Sequence, residues 1–281
     1  MLRQRVITAV LLLLVLLPAL FYPSPAPFSV VALLLIAAAT WELGRLLAFS
    51  QAQSMLLAAA CGALCVGFWW SGLLERALPA LWLFAGAFWV LGGGWLLRGG
   101  VPAWSRLPRP VRALAGIVAL CLAWLAVAQA RIIGINFLLS VMALVWAADI
   151  AAYFAGRAFG GKFTATRLAP SISPAKSWEG VWGGMAGVLA LALAWRWADS
   201  ALAAPVSSLY SHLSGKGWLL LVLALLFMAA LSVVGDLVES LVTRAANVKD
   251  SSGLLPGHGG VLDRVDALLP AVPLAMMLRS L

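Results

Sequence analysis

Residues 218–242 read WLLLVLALLFMAALSVVGDLVESLV, a segment whose two charges, Asp236 and Glu239, both fall near its far end. A helix needs about 20 mostly apolar residues to cross the hydrocarbon of a bilayer. It also satisfies every backbone N–H and C=O internally, which lipid cannot do. The segment therefore predicts a membrane helix carrying carboxylates at one end. Eight further stretches read the same way: 6–21, 28–49, 55–74, 78–97, 111–130, 132–154, 181–198 and 262–280. Composition agrees. Of 281 residues, 64% are hydrophobic and 10% charged, with mean hydropathy +1.02, whereas soluble domains carry about 25% charged residues. A soluble enzyme, a disordered chain and a disulfide scaffold are excluded. The alternating ten-residue strands of an outer-membrane barrel are absent from the sequence. The expected fold is all-α and polytopic, with about nine transmembrane helices. The first stretch, between Arg3, Arg5 and Pro23, Pro25, has the form of a cleavable leader. An equally apolar stretch follows at once, so it reads as a retained span.

The surplus of 19 Lys and Arg over 10 Asp and Glu then concerns topology and anionic ligands rather than nucleic acid. With the N-terminus in the cytoplasm, Arg3, Arg5, Arg45, Arg98, Arg106, Arg109, Arg112, Arg157, Lys162, Arg167, Lys176, Arg244, Lys249 and Arg264 fall inside. Arg76, Arg131, Arg196, Lys216 and Arg279 fall outside. That asymmetry obeys the positive-inside rule, and the basic loop Arg98–Arg112 reads as a topology determinant. Cys61, Cys65 and Cys121 lie in apolar spans and read as small helix-packing residues. The 14 Trp are scattered, many of them near span ends such as Trp41, Trp95, Trp104, Trp178 and Trp218, where they would anchor interfaces.

The acids divide the chain. Residues 1–148 hold only Glu42 and Glu75, and residues 149–281 hold the other eight. Polar groups inside a membrane mark function by default, so 1–148 reads as scaffold and 149–281 as the catalytic region. Three clusters stand out there. Asp149, Tyr153 and Arg157 are spaced four apart and share a helix face; the bland reading is an Asp149–Arg157 ion pair. Gly160-Gly161-Lys162 is followed by Ser171-Ile-Ser173-Pro174-Ala-Lys176-Ser177-Trp178-Glu179-Gly180. Ser173 as N-cap and Pro174 at the first helical position predict a helix start, and free N–H groups there with Ser177 and Lys176 would attract an anion. Gly180, Gly183, Gly184 and Gly187 read as a close helix-packing stripe.

The third cluster is Asp236, Glu239, Ser240 and Arg244 on one helix stripe, then Lys249-Asp250, then His258-Gly259-Gly260 and Asp263-Arg264-Val-Asp266. Several carboxylates converge across a Gly-rich loop. Keeping them ionised calls for a cation, and oxygen-only ligands point to Mg²⁺. The bland reading is an ion-pair network of Asp236, Arg244, Lys249, Asp263 and Arg264. Asp199 and His212 read as solvated loop residues on the other side.

The stretch from Ser240 to Asp266 resembles the signature of the phosphatidate cytidylyltransferase (CDP-diacylglycerol synthase) family: a Ser, a Lys-Arg pair, a Lys-Asp pair, His-Gly-Gly and Asp-Arg-x-Asp. This chain supplies Ser240, Arg244, Lys249-Asp250, His258-Gly259-Gly260 and Asp263-Arg264-x-Asp266. It departs at Thr243, where the pattern has Lys, and at Ala267, where Ser is common. Asp149-x-x-Ala-Tyr153, Gly161-Lys162, Ser173-Pro174-x-Lys176-Ser177 and Gly235-Asp236-x-x-Glu239 look like family blocks in family order. The resemblance implies a membrane enzyme that joins CTP to phosphatidate, releasing pyrophosphate. It places Asp236, Asp263 and Asp266 as Mg²⁺ ligands, with room for a second ion, and makes Lys249 and Arg264 catalytic. Lys162, Ser173, Lys176, Ser177, Ser240, Arg244 and His258 would bind substrate, with Asp149, Glu239 and Asp250 in supporting roles. A bacterial inner membrane, a cytoplasm-facing site and, as a further option, a homodimer fit this reading. The rivals are a CTP-dependent lipid kinase, with Asp250 or His258 as base, and a secondary transporter.

Overall fold

A computed structural model describes residues 2–281, and the described residues are helical throughout apart from short turns and two long loops. The order is α1 (Leu2–Phe21), α2 (Ala26–Leu46), α3 (Gln51–Trp70), α4 (Pro79–Ala87), a π-helical turn (Phe88–Gly93), α5 (Gly94–Arg106), α6 (Arg109–Ile133) and α7 (Ile135–Phe159). It continues with α8 (Trp178–Ala201), α9 (Leu209–Lys216), α10 (Trp218–Ala245), α11 (Leu262–Val265) and α12 (Leu268–Arg279). Among the described residues, eight stretches are long and apolar enough to cross a membrane, with α4, the π turn and α5 counted as one from Pro79 to Arg106.

The ninth predicted span is broken into α11 and α12. The break falls at Asp266, whose carboxylate accepts the Ala267 N–H at 2.7 Å. The pair still runs from one face of the bundle to the other. Leu262 meets the α2–α3-loop end of α2 at Glu42, and Arg279 lies over the Phe137 ring, 5.2 Å away at the start of α7. Apolar residues cover α12 on every side, and Leu269 through Met276 are all buried. An all-round apolar helix belongs in an interior. Here α12 forms the axis of the bundle, with Met277 against Gly86 of α4 and Pro270 against Gly235 of α10, each 2.8 Å from where a β-carbon would stand.

Three local expectations change. The basic loop Arg98–Arg112 is mostly helix: α5 continues to Arg106, turning at Gly100, whose φ of 62° suits a residue without a β-carbon. Asp199 is not a solvated charge. It accepts Asn136 Nδ2 at 2.9 Å, Ser208 Oγ and Ser211 Oγ at 2.5 Å and the Ser208 N–H at 3.2 Å, and so fastens the start of α9 to α7 and α8. His212, expected in a loop, lies on α9, where Ser208 caps a short helix. The three cysteines do pack helices: Cys61 and Cys65 of α3 lie 3.4 and 3.8 Å by sulfur from Cys121 of α6.

The glycine stripe of α8 lets it lie on the backbone of α7. A β-carbon at Gly184 would stand 2.9 Å from the Ala148 carbonyl oxygen, and at Gly183 it would strike the Ala155 side chain. Gly184→Leu should therefore destabilise the fold by about 1–3 kcal/mol through overpacking, measured by thermal unfolding in detergent. Gly67→Leu on α3, where a β-carbon meets nothing within 4 Å, should leave the midpoint in place.

Candidate active site

Five connections or ends share one face of the bundle: the start of α1, the α2–α3 and α5–α6 turns, and two long loops, 160–177 and 246–261. The two loops flank the ends of α7 and α10. Between them lies a pocket of about 470 Å³ lined by Asp149, Tyr153 and Arg157 from α7, Ser173, Lys176 and Ser177 from the first loop, and Asp236 from α10. Lys176 and Asp236 form an ion pair across it. Asp149 and Asp266 are the further electrostatic neighbours of this pair. The bland alternative, an Asp149–Arg157 ion pair, is not among the ion pairs of the described residues; Arg157 donates instead to the Tyr153 hydroxyl at 3.1 Å.

The first loop corrects the expected start of α8. Ser173 is not its N-cap. The Ser173 N–H donates to Ala169 at 2.8 Å and its carbonyl accepts the Lys176 N–H at 3.2 Å, a turn that brings Lys176 back over Asp236. The cap is Ser177, whose Oγ accepts the Gly180 N–H at 3.1 Å. Proline at 174 is used by the turn, and the helix waits until the chain has passed the pocket. Glu179, on the first turn of α8, is buried, and its Oε1 accepts the Phe163 and Thr164 N–H groups and the Thr164 hydroxyl at 2.9–3.0 Å. Lys162 sits beside this clasp, exposed, over the Phe159 ring at 5.4 Å and outside the pocket lining.

The second loop is a tight hairpin at its tip. Leu255 N–H donates to Gly259 at 2.9 Å and His258 N–H to Leu255 at 2.8 Å, with Gly257 and Gly259 at φ of 78° and 83°. Arg264 closes it from below, donating through Nε and Nη2 to the His258 carbonyl at 2.9 and 2.5 Å. Asp263 accepts the Gly260 N–H at 2.8 Å and the Ser251 N–H at 2.9 Å, so it draws the two sides of the loop together. The first half of the chain holds the loop as well. Thr8 of α1 donates to the Pro256 carbonyl at 2.9 Å, and Glu42 of α2 accepts from Ser251, Ser252, Val261 and Leu262. The scaffold reading of residues 1–148 missed both contacts. A signal for Glu42 was present, since it is a carboxylate inside an otherwise apolar span.

The remaining residues divide. Arg244 donates to the Val248 carbonyl at 2.9 Å, and Lys249 and Asp250 are exposed. The bland alternative, an ion-pair network, is not formed: among the described residues the only ion pair is Lys176–Asp236. Glu239 has Asp263, Asp266 and Asp236 as its electrostatic neighbours. It also reaches an apolar cavity of about 200 Å³ between α5, α6 and α10, lined by Trp89, Trp104 and Leu120 among others. Its Oε1 is buried without a partner, as is His258 Nδ1. These carboxylates do not make a closed set; among the described residues only the three cysteines place three such ligand atoms within 4.8 Å of one another. The chemistry of the donors nonetheless fits a hard cation. Every donor is a carboxylate oxygen, Glu239 retains an unpaired one, and the Lys176 ammonium already rests on Asp236 as a cation would.

A family model for the cytidylyltransferase family matches residues 3–281. The chain belongs to the cytidylyltransferase family. A phosphatidate cytidylyltransferase of Pseudomonas aeruginosa is 37% identical over 283 residues, covering 97% of this chain and 95% of the relative. One of Haemophilus influenzae is 48% identical over 140 residues, which is 50% of this chain and 44% of that protein. One of Brucella suis is 39% identical over 218 residues, 78% of this chain and 62% of that protein. The departure from the usual cytidylyltransferase signature at Thr243 has a local reason. Thr243 is 1% exposed and its hydroxyl donates back to the Glu239 and Ser240 carbonyls at 3.2 and 3.0 Å, so this position faces the core rather than the polar pocket. Ala267, the other departure, is likewise buried.

Proposed function

We propose that this chain transfers the cytidylyl group of CTP to phosphatidate, forming CDP-diacylglycerol and pyrophosphate. The observation that carries the reading is the meeting of Asp236 with Lys176 and Asp149 around one pocket at one face of a membrane bundle, with Asp266 of the signature as their electrostatic neighbour. The family membership, and relatives that are phosphatidate cytidylyltransferases, support the choice of substrates.

An oxygen of the lipid phosphate attacks the α-phosphorus of CTP, the bond to the bridging α–β oxygen breaks, and pyrophosphate leaves. The attacking phosphate is ionised near neutral pH, so the step needs positioning and charge neutralisation more than a base. Lys176, Ser173 and Ser177 line the pocket and would receive phosphate oxygens there. Arg244, Lys249 and Arg264 would act from the second loop and Lys162 from the first, with Ser240 and His258 as hydrogen-bonding partners. Asp236, Asp263 and Asp266 would hold Mg²⁺, with Glu239 beside them. A bound Mg²⁺ supplies neutralisation of the charge carried by the triphosphate. Asp149 would orient the Lys176 ammonium. The face bearing the site also bears Arg3, Arg5, Arg45 and Arg109, which supports a cytoplasmic N-terminus and a cytoplasm-facing site in a bacterial inner membrane.

Purified protein in detergent, given labelled CTP, phosphatidate and Mg²⁺, should release pyrophosphate in step with CDP-diacylglycerol. EDTA should abolish turnover, and added Mg²⁺ should restore it. Transfer of the γ-phosphate to a lipid alcohol would replace this reading with the kinase, and CTP-independent solute uptake into liposomes would replace it with the transporter.

A further inference from the structure

We propose that Glu42, on α2, is a positioning residue for cytidylyl transfer, acting through the second loop, which carries His258, and through α11 after it, which sets Asp263, Arg264 and Asp266. The proposal rests on the transferase reading and adds to it a residue from the half of the chain that carries no signature.

Glu42 has 0% exposure. Its Oε1 accepts the Val261 N–H at 2.9 Å and the Ser252 hydroxyl at 2.5 Å. Its Oε2 accepts the Leu262 N–H at 2.7 Å and the Ser251 hydroxyl at 3.2 Å. Among the described residues no Lys or Arg pairs with it. A buried carboxylate in an apolar span is tolerated only where donors meet it, and here three donors belong to one loop and the fourth is the first residue of α11, which follows it. Val261 and Leu262 immediately precede Asp263. Ser251 donates its hydroxyl to Glu42 and its N–H to Asp263, so the two carboxylates grip the same residue from opposite sides. Gly260 fits between them: a β-carbon there would stand 2.5 Å from Glu42 Oε1 and would strike the Ser251 hydroxyl. If α2 needed only to pack, an apolar residue would serve. The carboxylate instead fixes where α11 begins, and with it the placement of Asp263, Arg264 and Asp266.

Glu42→Gln keeps the size but turns an amide NH₂ toward a backbone N–H, donor against donor. The expected result is a fall in kcat on the order of 100-fold, the effect of misplacing reacting groups by an ångström, with KM for CTP near the wild-type value. Deuterium exchange at the Val261 and Leu262 amides, measured without substrate, should quicken by about tenfold or more. Ser252→Ala, which removes one donor, should move kcat and exchange in the same direction by less. Glu42→Gln with wild-type kcat, or with lowered kcat and unchanged exchange over 251–262, would overturn the proposal. If Glu42→Gln does not fold, the double variant Ser251→Ala, Ser252→Ala decides, and wild-type kcat in it would overturn the proposal. Wild-type turnover of CTP and phosphatidate tests the underlying reading separately, and the exchange measurement stands without it.

Discussion

Asp263→Asn should lower turnover by about 10³-fold while the bundle stays folded. Two losses combine in that change. Asp263 accepts N–H groups from Gly260 and Ser251, and an asparagine offers one acceptor oxygen where the carboxylate offers two. It also removes a negative charge from the group formed with Glu239, Asp266 and Asp236, the residues that would hold the proposed Mg²⁺. CDP-diacylglycerol formation measured against Mg²⁺ concentration separates the two losses. A metal ligand predicts that half-maximal activity moves to higher Mg²⁺. A residue that only shapes the loop predicts the same Mg²⁺ dependence with lower kcat. Unchanged turnover in a folded Asp263→Asn would remove the residue from the site altogether.

Lys176→Met should lower kcat/KM by about 10²–10³-fold, and Asp236→Asn by a similar factor. The two side chains pair across the pocket, with Asp149 and Asp266 as further electrostatic neighbours of the same ammonium. Residues that act as one unit are not additive. The double variant should therefore resemble either single one rather than their product. Lys176→Arg should not restore activity, because a planar guanidinium cannot replace a compact ammonium wedged between carboxylates. Additive effects in the double variant would mean that Lys176 and Asp236 act on separate parts of the reaction.

Hydropathy made the helices of this bundle legible, because a span of apolar residues has one stable form in lipid. The signature made the second loop legible for the same kind of reason: its glycines and acids leave few alternatives. What escaped reading depends on contacts distant in sequence. Glu42 meets Val261, 219 residues away, and nothing in its neighbours on α2 announces a partner. The start of α8 was misplaced because Ser173-Pro174 satisfies the local rule for a helix start, while the ion pair of Lys176 with Asp236 requires the chain to turn first. Asp199 looks solvated in its local sequence because its donor Asn136 lies 63 residues earlier. The break between α11 and α12 lies in the signature itself, at Asp266, whose side chain bonds the next backbone N–H.

The place of α12 bears on how the molecule is made. It is synthesised after α4, α6, α7 and α10, yet in the finished protein it lies among them, with Met277 on Gly86 and Pro270 on Gly235. At about 5–20 residues added per second, those helices reach the membrane before their common neighbour exists. Their inner faces then meet lipid, or one another, until residues 268–279 insert. Closure of the centre is a late event in biogenesis, and substitutions along α12 are felt first in the yield of assembled protein.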